Sequence, residues 1–91
     1  MIGGTMMRVI IDVREPSEYK LGHVSGAINI PPSKMMLGVP ESLQNIDKDT
    51  ELILYCLSGA RSNASIHILK QYGFTNLVNG INKEHVNAKY Q

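Results

Sequence analysis

Four short apolar runs, separated by segments with helix and turn signals, constrain the fold of this chain more than any other feature. The runs at 8–13 and 51–55 show almost no alternation of apolar and polar residues, which is typical of strands buried on both faces of a parallel sheet. Shorter runs at 27–30 and 75–78 predict two further strands. Strands that alternate with helices predict an α/β fold, with a central parallel sheet of about four to five strands and helices on both faces.

Proline and glycine mark the helices of the first half. Pro16 stands where a helix can begin and Gly22 follows as a stop, which predicts a short helix between them. Ser33 is the predicted N-cap of a helix over 34–37, and residues 40–46 are predicted to form a separate helical turn. These interruptions make the middle of the chain the least regular part of the predicted fold.

The second half is more regular. The segment 61–72 has apolar residues at helical spacing and is followed by Gly73 as a stop, so it predicts a helix. The predicted buried stripe of this helix consists of Ala64, Ile68, Leu69 and Tyr72. The pair at 79–80, Asn-Gly, predicts a turn that ends the fourth strand. Asn82 is then the predicted N-cap of a last short helix over 83–88.

The length of 91 residues fits one small domain. A chain of this size buries only about 60 to 65% of its unfolded surface, so any active site is expected on the core scaffold itself. We assign residues 8–91 to a single minimal domain, predicted to be a monomer, and set residues 1–7 apart as an N-terminal leader or remnant.

Charge and targeting signals narrow the setting. The 9 basic and 8 acidic side chains are scattered, without a basic stripe, which argues against a nucleic-acid partner and against a membrane-surface helix. The chain shows neither a secretory signal pattern nor an apolar stretch long enough to span a membrane, so we expect a cytoplasmic protein.

The functional prediction depends on the single cysteine, Cys56. One cysteine excludes an intramolecular disulfide and a Cys-rich zinc site, and the three histidines do not stand at ligand spacing, so no metal or other cofactor is predicted. Three roles are left, namely an inert core thiol, a partner in an intermolecular disulfide, and a reactive thiol. Cys56 follows a buried strand, and open α/β sheets bind their ligands outside the carboxyl ends of the strands.

The residues after Cys56 favour the reactive role. Gly59 allows backbone conformations in which successive N–H groups converge on an anion. The helix that follows adds the positive end of its dipole, and Arg61 adds a permanent cation. Each of these favours thiolate over thiol and predicts a nucleophilic Cys56. In the alternative, Cys56 is a small buried hydrophobe and Arg61 is a solvated helix residue.

Two motifs closely resemble those of rhodanese-like domains. The first is Asp12-Val-Arg-Glu-Pro-Ser-Glu-Tyr19, continued by Gly22-His-Val-Ser-Gly-Ala-Ile-Asn-Ile-Pro31, and the second is the turn from Cys56 to Arg61. The resemblance covers about residues 8–80. It implies a doubly wound α/β domain that carries sulfane sulfur as a cysteine persulfide. The sulfur would come from thiosulfate, a polysulfide or a protein persulfide and pass to cyanide, a small thiol or a protein acceptor.

The resemblance also implies a role for each matching residue. Cys56 is the sulfur-accepting nucleophile, Asp12 and Arg14 form a salt bridge that braces the site, and Glu18 and His23 are structural. The substrate-binding cradle consists of the backbone N–H groups of Leu57, Ser58, Gly59, Ala60, Arg61 and Ser62. The Ser62 side chain is in addition the predicted N-cap of the helix that follows.

Loop length separates the predicted activity from its alternatives. Four residues separate Cys56 from Arg61, whereas related cell-cycle phosphatases and arsenate reductases have a loop one residue longer, which disfavours that chemistry. A non-catalytic binding or regulatory module needs no thiolate, so the intact loop disfavours it too. We therefore predict a sulfurtransferase of the thiosulfate sulfurtransferase type. Its use of thiosulfate is expected to be weak, because Leu57 stands where thiosulfate-using members frequently have Arg.

Overall fold

A computed structural model describes residues 8–91, which form a four-stranded sheet with helices around it. The predicted leader or remnant over 1–7 lies outside the described residues. Strands and helices alternate along the chain. In order they are β1 (Arg8–Asp12), α1 (Pro16–Lys20), β2 (Ile28–Asn29), α2 (Pro32–Met35), a 3-10 turn (Glu41–Leu43), β3 (Glu51–Cys56), α3 (Ala60–Gln71), β4 (Leu77–Asn82) and α4 (Lys83–Tyr90).

All neighbouring strands of the sheet are parallel, in the order β2-β1-β3-β4. The two central strands pair in continuous register from Arg8 opposite Glu51 to Asp12 opposite Tyr55. Because parallel strands all end at the same edge of a sheet, the carboxyl end of β3, with Cys56, lies beside the carboxyl ends of its neighbours. The α/β fold with a parallel sheet is confirmed.

The core lies on both faces of the sheet. On one face, Ile11 and Leu54 pack in a cluster that includes Met35 from α2 and Leu69 from α3. On the other face, the alternate strand residues pack against Val86 from α4. Burial on both faces explains why β1 and β3 are nearly uninterrupted apolar runs. Among residues 8–91, no helix has the length and apolar content needed to cross a membrane.

Two helices differ in detail from the prediction. Helix α2 begins at Pro32 with Pro31 as its N-cap residue, rather than being capped by Ser33, because proline is favoured in the first helical turn, where its missing N–H is not needed. In α3, Ala64 is exposed, whereas Ser65 and Ile66 are buried. The predicted stripe is confirmed at Leu69, which is buried, and at Ile68 and Tyr72, which pack against the core, but it was wrong at Ala64. This helix buries serines against the sheet as well as apolar residues.

Strand β4 is longer than predicted. The predicted turn at 79–80 is absent, and the strand continues to Asn82 with a bulge, in which Leu54 is opposite Asn79 and Tyr55 is opposite Ile81. Pairing with β3 overrides the local turn preference. Asn82 caps α4 as predicted, since its side-chain oxygen accepts a hydrogen bond from the backbone N–H of His85 at 2.8 Å.

Candidate active site

Cys56 ends β3 and its side chain is buried at the base of the loop that leads into α3. The backbone N–H of Gly59 donates to its sulfur, with nitrogen and sulfur 3.1 Å apart. The hydroxyl oxygen of Ser62 lies 3.6 Å from the same sulfur. The structure therefore brings donors from the predicted cradle onto the thiol.

Gly59 gives the loop its shape. Its φ of 95° lies in the left-handed region, which side chains disfavour and glycine adopts freely. Gly59 is also the N-cap residue of α3, and its carbonyl accepts from the N–H of Asn63 at 2.9 Å, which starts the helix. The prediction that Ser62 caps α3 was therefore wrong, since Ser62 lies inside the first turn of the helix.

The loop changes the acidity of Cys56. Burial raises the pKa of this thiol, but the opposing hydrogen bonds are stronger together and lower it to about 7. They come first from the backbone N–H and the hydroxyl of Ser62, then from the N–H groups of Ser58 and Gly59. Stabilising a thiolate in this way produces a nucleophile near neutral pH.

The titration of Cys56 provides a direct check. The ultraviolet absorbance of its thiolate, taken as the difference from a Cys56→Ser variant, is expected to rise with pH through a midpoint at about 7. The direction follows from the charge, since the protonated thiol dominates below the midpoint and the thiolate above it. The urea-unfolded chain is the control, with a midpoint near the ordinary value of 9.0. A folded-state midpoint at or above that of the unfolded chain would show that the loop donors do not stabilise the thiolate.

Arg61 lies in the first turn of α3, and its guanidinium forms an ion pair with a carboxylate. Its guanidinium donates to Glu18 of α1, with Nη1 2.9 Å from Oε1 and Nη2 3.3 Å from Oε2. This contact, with a backbone hydrogen bond from Glu15, lowers the pKa of Glu18 to about 2. The pKa of Arg61 is raised, first by Glu18 and also by attraction to Cys56. Glu18, predicted to be structural, thus tethers the cation of the loop.

Asp12 and Arg14 form a buried salt bridge beside the loop. Nη2 of Arg14 lies 2.7 Å from Oδ2 of Asp12, and Nε lies 2.9 Å from Oδ1. The same Nη2 donates to the carbonyl of Gly22 at 2.7 Å. The Asp12 carboxylate also accepts from the hydroxyl of Tyr55, the residue before Cys56, at 2.8 Å. The pair therefore connects the ends of β1 and β3 with the turn after α1.

Tyr55 was missed in the sequence. Burial raises its pKa to about 12, and its hydroxyl accepts from the backbone N–H of Val24 while donating to Asp12. The available signal was a tyrosine within a buried strand, because a buried phenol needs hydrogen-bond partners. His23 lies apart from the sulfur contacts, exposed, with its ring stacked on Tyr19 at 3.6 Å between centroids.

Asn79 is the second residue that the sequence did not reveal. Its Nδ2 donates to the carbonyl of Gly59 at 3.0 Å, and its Oδ1 accepts from the hydroxyl of Ser62 at 2.7 Å. The Asn-Gly pair at 79–80 predicted a turn, and nothing in the local sequence indicated that the Asn79 side chain contacts the loop.

Within the described residues, neither the surface cleft next to α2 nor the side chains that could hold a metal indicate a second site. A surface cleft of about 380 Å³ lies next to α2 and the 3-10 turn, but its lining contains no residue of the Cys56 loop. The thiol and its donors converge at the loop, which makes the loop the candidate site. Within residues 8–91, no three His, Cys, Asp or Glu side chains are grouped so as to hold a metal ion.

Comparisons with known proteins cover all of the residues that form the candidate site. A family model described as Rhodanese-like domain matches residues 1–83. The thiosulfate:glutathione sulfurtransferase of Saccharomyces cerevisiae is 36% identical over 77 residues, covering 75% of this chain and 55% of that protein. The thiosulfate sulfurtransferase PspE of Escherichia coli is 36% identical over 69 residues, covering 76% of this chain and 64% of that protein. This chain thus spans less than two thirds of the length of either relative.

A solved structure gives the same result for the fold. The structure described as rhodanese with anions from E. coli superposes with a TM-score of 0.75 at 32% sequence identity. The superposition covers 86% of this chain and 89% of that one. The similarity therefore extends over nearly the full length of both chains.

Proposed function

Because the chain belongs to the rhodanese-like domain family, we propose that it is a sulfurtransferase that carries sulfane sulfur on Cys56. The observation that carries the proposal is the lone thiol whose pKa is lowered to about 7 by donors from its own loop. The same N–H groups are suited to hold the negative charge of a sulfur atom attached to Cys56. The thiosulfate sulfurtransferases among the relatives support this activity for the chain.

The proposed reaction has two displacements. The Cys56 thiolate attacks the outer sulfur of thiosulfate, the sulfur–sulfur bond of the donor breaks, and sulfite leaves with the electron pair. This leaves a persulfide anion on Cys56. An acceptor thiolate then attacks the outer sulfur, takes it as a new persulfide, and releases the Cys56 thiolate; cyanide takes it as thiocyanate. Atoms and charge balance in each step without a further oxidant or cofactor.

The acceptor lies outside this chain. Cys56 is its only cysteine, so the chain holds no second thiol that could discharge the persulfide by forming an internal disulfide. We therefore propose that the sulfur passes to a small thiol, to cyanide or to a thiol on a protein.

Sulfur loading tests the function. The purified protein is incubated with thiosulfate, with polysulfide and with a persulfide-bearing protein, and its intact mass is measured. We expect a gain of one sulfur atom from at least one donor, and loss of that sulfur on treatment with cyanide. If no donor loads sulfur, the chain is not a sulfurtransferase, and a non-catalytic binding module becomes the better interpretation.

Leu57 is expected to make thiosulfate a poor donor. It directly follows Cys56 and is 59% exposed, so an approaching donor can meet its side chain. Because leucine is uncharged, it does not attract a dianionic donor. Replacing Leu57 with Arg is expected to lower the KM for thiosulfate by about tenfold, the effect of one charge-assisted hydrogen bond. Steady-state sulfur transfer to cyanide measures the change.

Leu37→Arg is the matched control for this prediction. Leu37 is also exposed, at 88%, and lies beside the surface cleft rather than in the loop. The Leu37→Arg substitution adds the same charge to the protein as Leu57→Arg but should leave the KM for thiosulfate unchanged. Equal effects of the two variants, or a KM in the low micromolar range for the natural sequence, would show that Leu57 does not limit thiosulfate use.

A further inference from the structure

We propose that Asn79 is a positioning residue of the Cys56 loop, which holds Gly59 in the conformation that directs its N–H at the sulfur. The inference rests on the proposed function in that it concerns the same thiolate. Asn79 lies on β4 and contacts the loop from the side, through the carbonyl of Gly59 and the hydroxyl of Ser62. The sulfur itself receives the N–H of Gly59 and lies near the Ser62 oxygen, so Asn79 contacts two of the residues whose donors stabilise the thiolate.

Backbone groups fix the orientation of the Asn79 side chain. Its Oδ1 accepts from the backbone N–H of Ile81 at 2.9 Å. Since a backbone N–H can only donate, oxygen must face Ile81, and Nδ2 must then face the carbonyl of Gly59. A side chain at this position must accept a hydrogen bond from Ile81 and donate one to Gly59. The amide of Asn provides both groups, whereas an aliphatic side chain provides neither.

The backbone around Asn79 is shaped to present it. Ile81 has a φ of 71°, a left-handed value that β-branched residues rarely adopt, and this conformation accompanies the hydrogen bond from its N–H to Asn79. At Gly80 a Cβ atom would lie 2.6 Å from Cγ2 of Val86, so only glycine fits the bulge. A backbone outlier next to a closely packed glycine supports a functional role for the arrangement.

Gly59 needs such a restraint. It has the conformational freedom of glycine, and a Cβ atom placed on it would lie 3.5 Å from Nδ2 of Asn79 and 3.7 Å from the Cα of Ile81. The helix bond from Asn63 holds its carbonyl along the axis of α3, and Asn79 holds the same carbonyl from β4. The Gly59 carbonyl belongs to the peptide between residues 59 and 60, and the Gly59 N–H belongs to the peptide before it. Holding the first peptide limits the rotations at Gly59 that would turn its N–H away from the sulfur.

Ser62 has an effect of its own that the test must separate. Its hydroxyl has one proton, and three acceptors lie around it: the Gly59 carbonyl at 3.1 Å, the Asn79 Oδ1 at 2.7 Å and the Cys56 sulfur at 3.6 Å. Removing Asn79 frees that proton for the thiolate, which opposes the loss of order at Gly59. A Ser62→Ala background removes this opposing effect.

The experiment is a titration of Cys56 in the Asn79→Ala variant, by thiolate absorbance, in the natural sequence and in the Ser62→Ala background. In the natural sequence we expect the midpoint to rise by about one pH unit, which from a midpoint near 7 lowers the thiolate fraction at neutral pH about fivefold. The rise is expected to be larger in the Ser62→Ala background. The change from Asn to Ala adds no charge. It leaves in place the charged groups at this end of the sheet, which include Arg61, Glu18, Glu15, Asp12, Arg14 and Lys83.

Asn76→Ala is the matched control. Asn76 precedes the same strand, and its side chain donates to the carbonyl of Asp49 at the opposite end of the sheet. It should leave the midpoint unchanged, which separates a specific effect on the loop from a general loss of stability, and thermal unfolding of each variant is measured alongside.

The outcomes separate the inference from the proposed function. A midpoint that stays or falls in the Asn79→Ala, Ser62→Ala double variant relative to Ser62→Ala overturns the positioning role, whatever the sulfur-loading result. A rise in a protein that loads no sulfur supports the positioning role and rejects the sulfurtransferase.

Discussion

Replacing Asp12 with Asn is expected to lower the free energy of unfolding by about 3–5 kcal/mol, the range for a buried ion pair that loses one partner. Asn has nearly the same shape, so the change removes the charge and leaves the packing intact. Arg14 would keep its cation, with a side chain only 7% exposed, but would lose the carboxylate with which it forms its salt bridge. The hydroxyl of Tyr55 would lose its charged acceptor as well.

Urea unfolding measures this effect, and Glu51→Gln is the matched control. Glu51 pairs with Arg8 at the opposite end of β1 and β3, where the Arg8 side chain is 44% exposed. Such a surface pair contributes at most about 1 kcal/mol. If Asp12→Asn costs no more than Glu51→Gln, the brace does not stabilise the fold. A second variant, Asp12→Asn with Arg14→Met, should be more stable than Asp12→Asn alone, because it removes the unpaired cation.

The parallel sheet could be predicted because its evidence is local. The central strands β1 and β3 are nearly uninterrupted apolar runs, and Pro31 marks the end of β2 because it cannot donate to a ladder. The extent of β4 could not be predicted. The Asn-Gly pair at 79–80 is a strong turn signal, and it is overridden by the pairing of Asn82 with Cys56, a residue of a distant segment.

The same division applies to the candidate site. The loop from Cys56 to Arg61 is contiguous, so its residue types and spacing predicted a thiolate site directly. Its supporting contacts join distant positions: Glu18 and Arg61 are 43 residues apart, as are Asp12 and Tyr55, while Gly59 and Asn79 are 20 apart. Local patterns show that such residues are polar, but only the fold shows which of them meet.

Replacing Cys56 with Ser is expected to abolish sulfur loading and to lower the rate of sulfur transfer at least about a thousandfold. Serine keeps the size of the side chain and can accept the same hydrogen bond from Gly59, so the loop is expected to stay in place. Its hydroxyl stays protonated at neutral pH, and an oxygen in its place forms no persulfide. The variant therefore removes the nucleophile and preserves its surroundings.

Comparison with the Asn79→Ala variant makes this result informative. Asn79→Ala slows the reaction at neutral pH through the thiolate fraction, so raising the pH should restore most of its rate. Cys56→Ser has no thiolate to recover, and its loss should persist at every pH. Intact mass after incubation with donor, and sulfur transfer to cyanide across the pH range, measure the two patterns. Sulfur loading that survives in Cys56→Ser would overturn the proposed role of Cys56. The sulfur would then be bound by a group other than a cysteine, because this chain has no other cysteine.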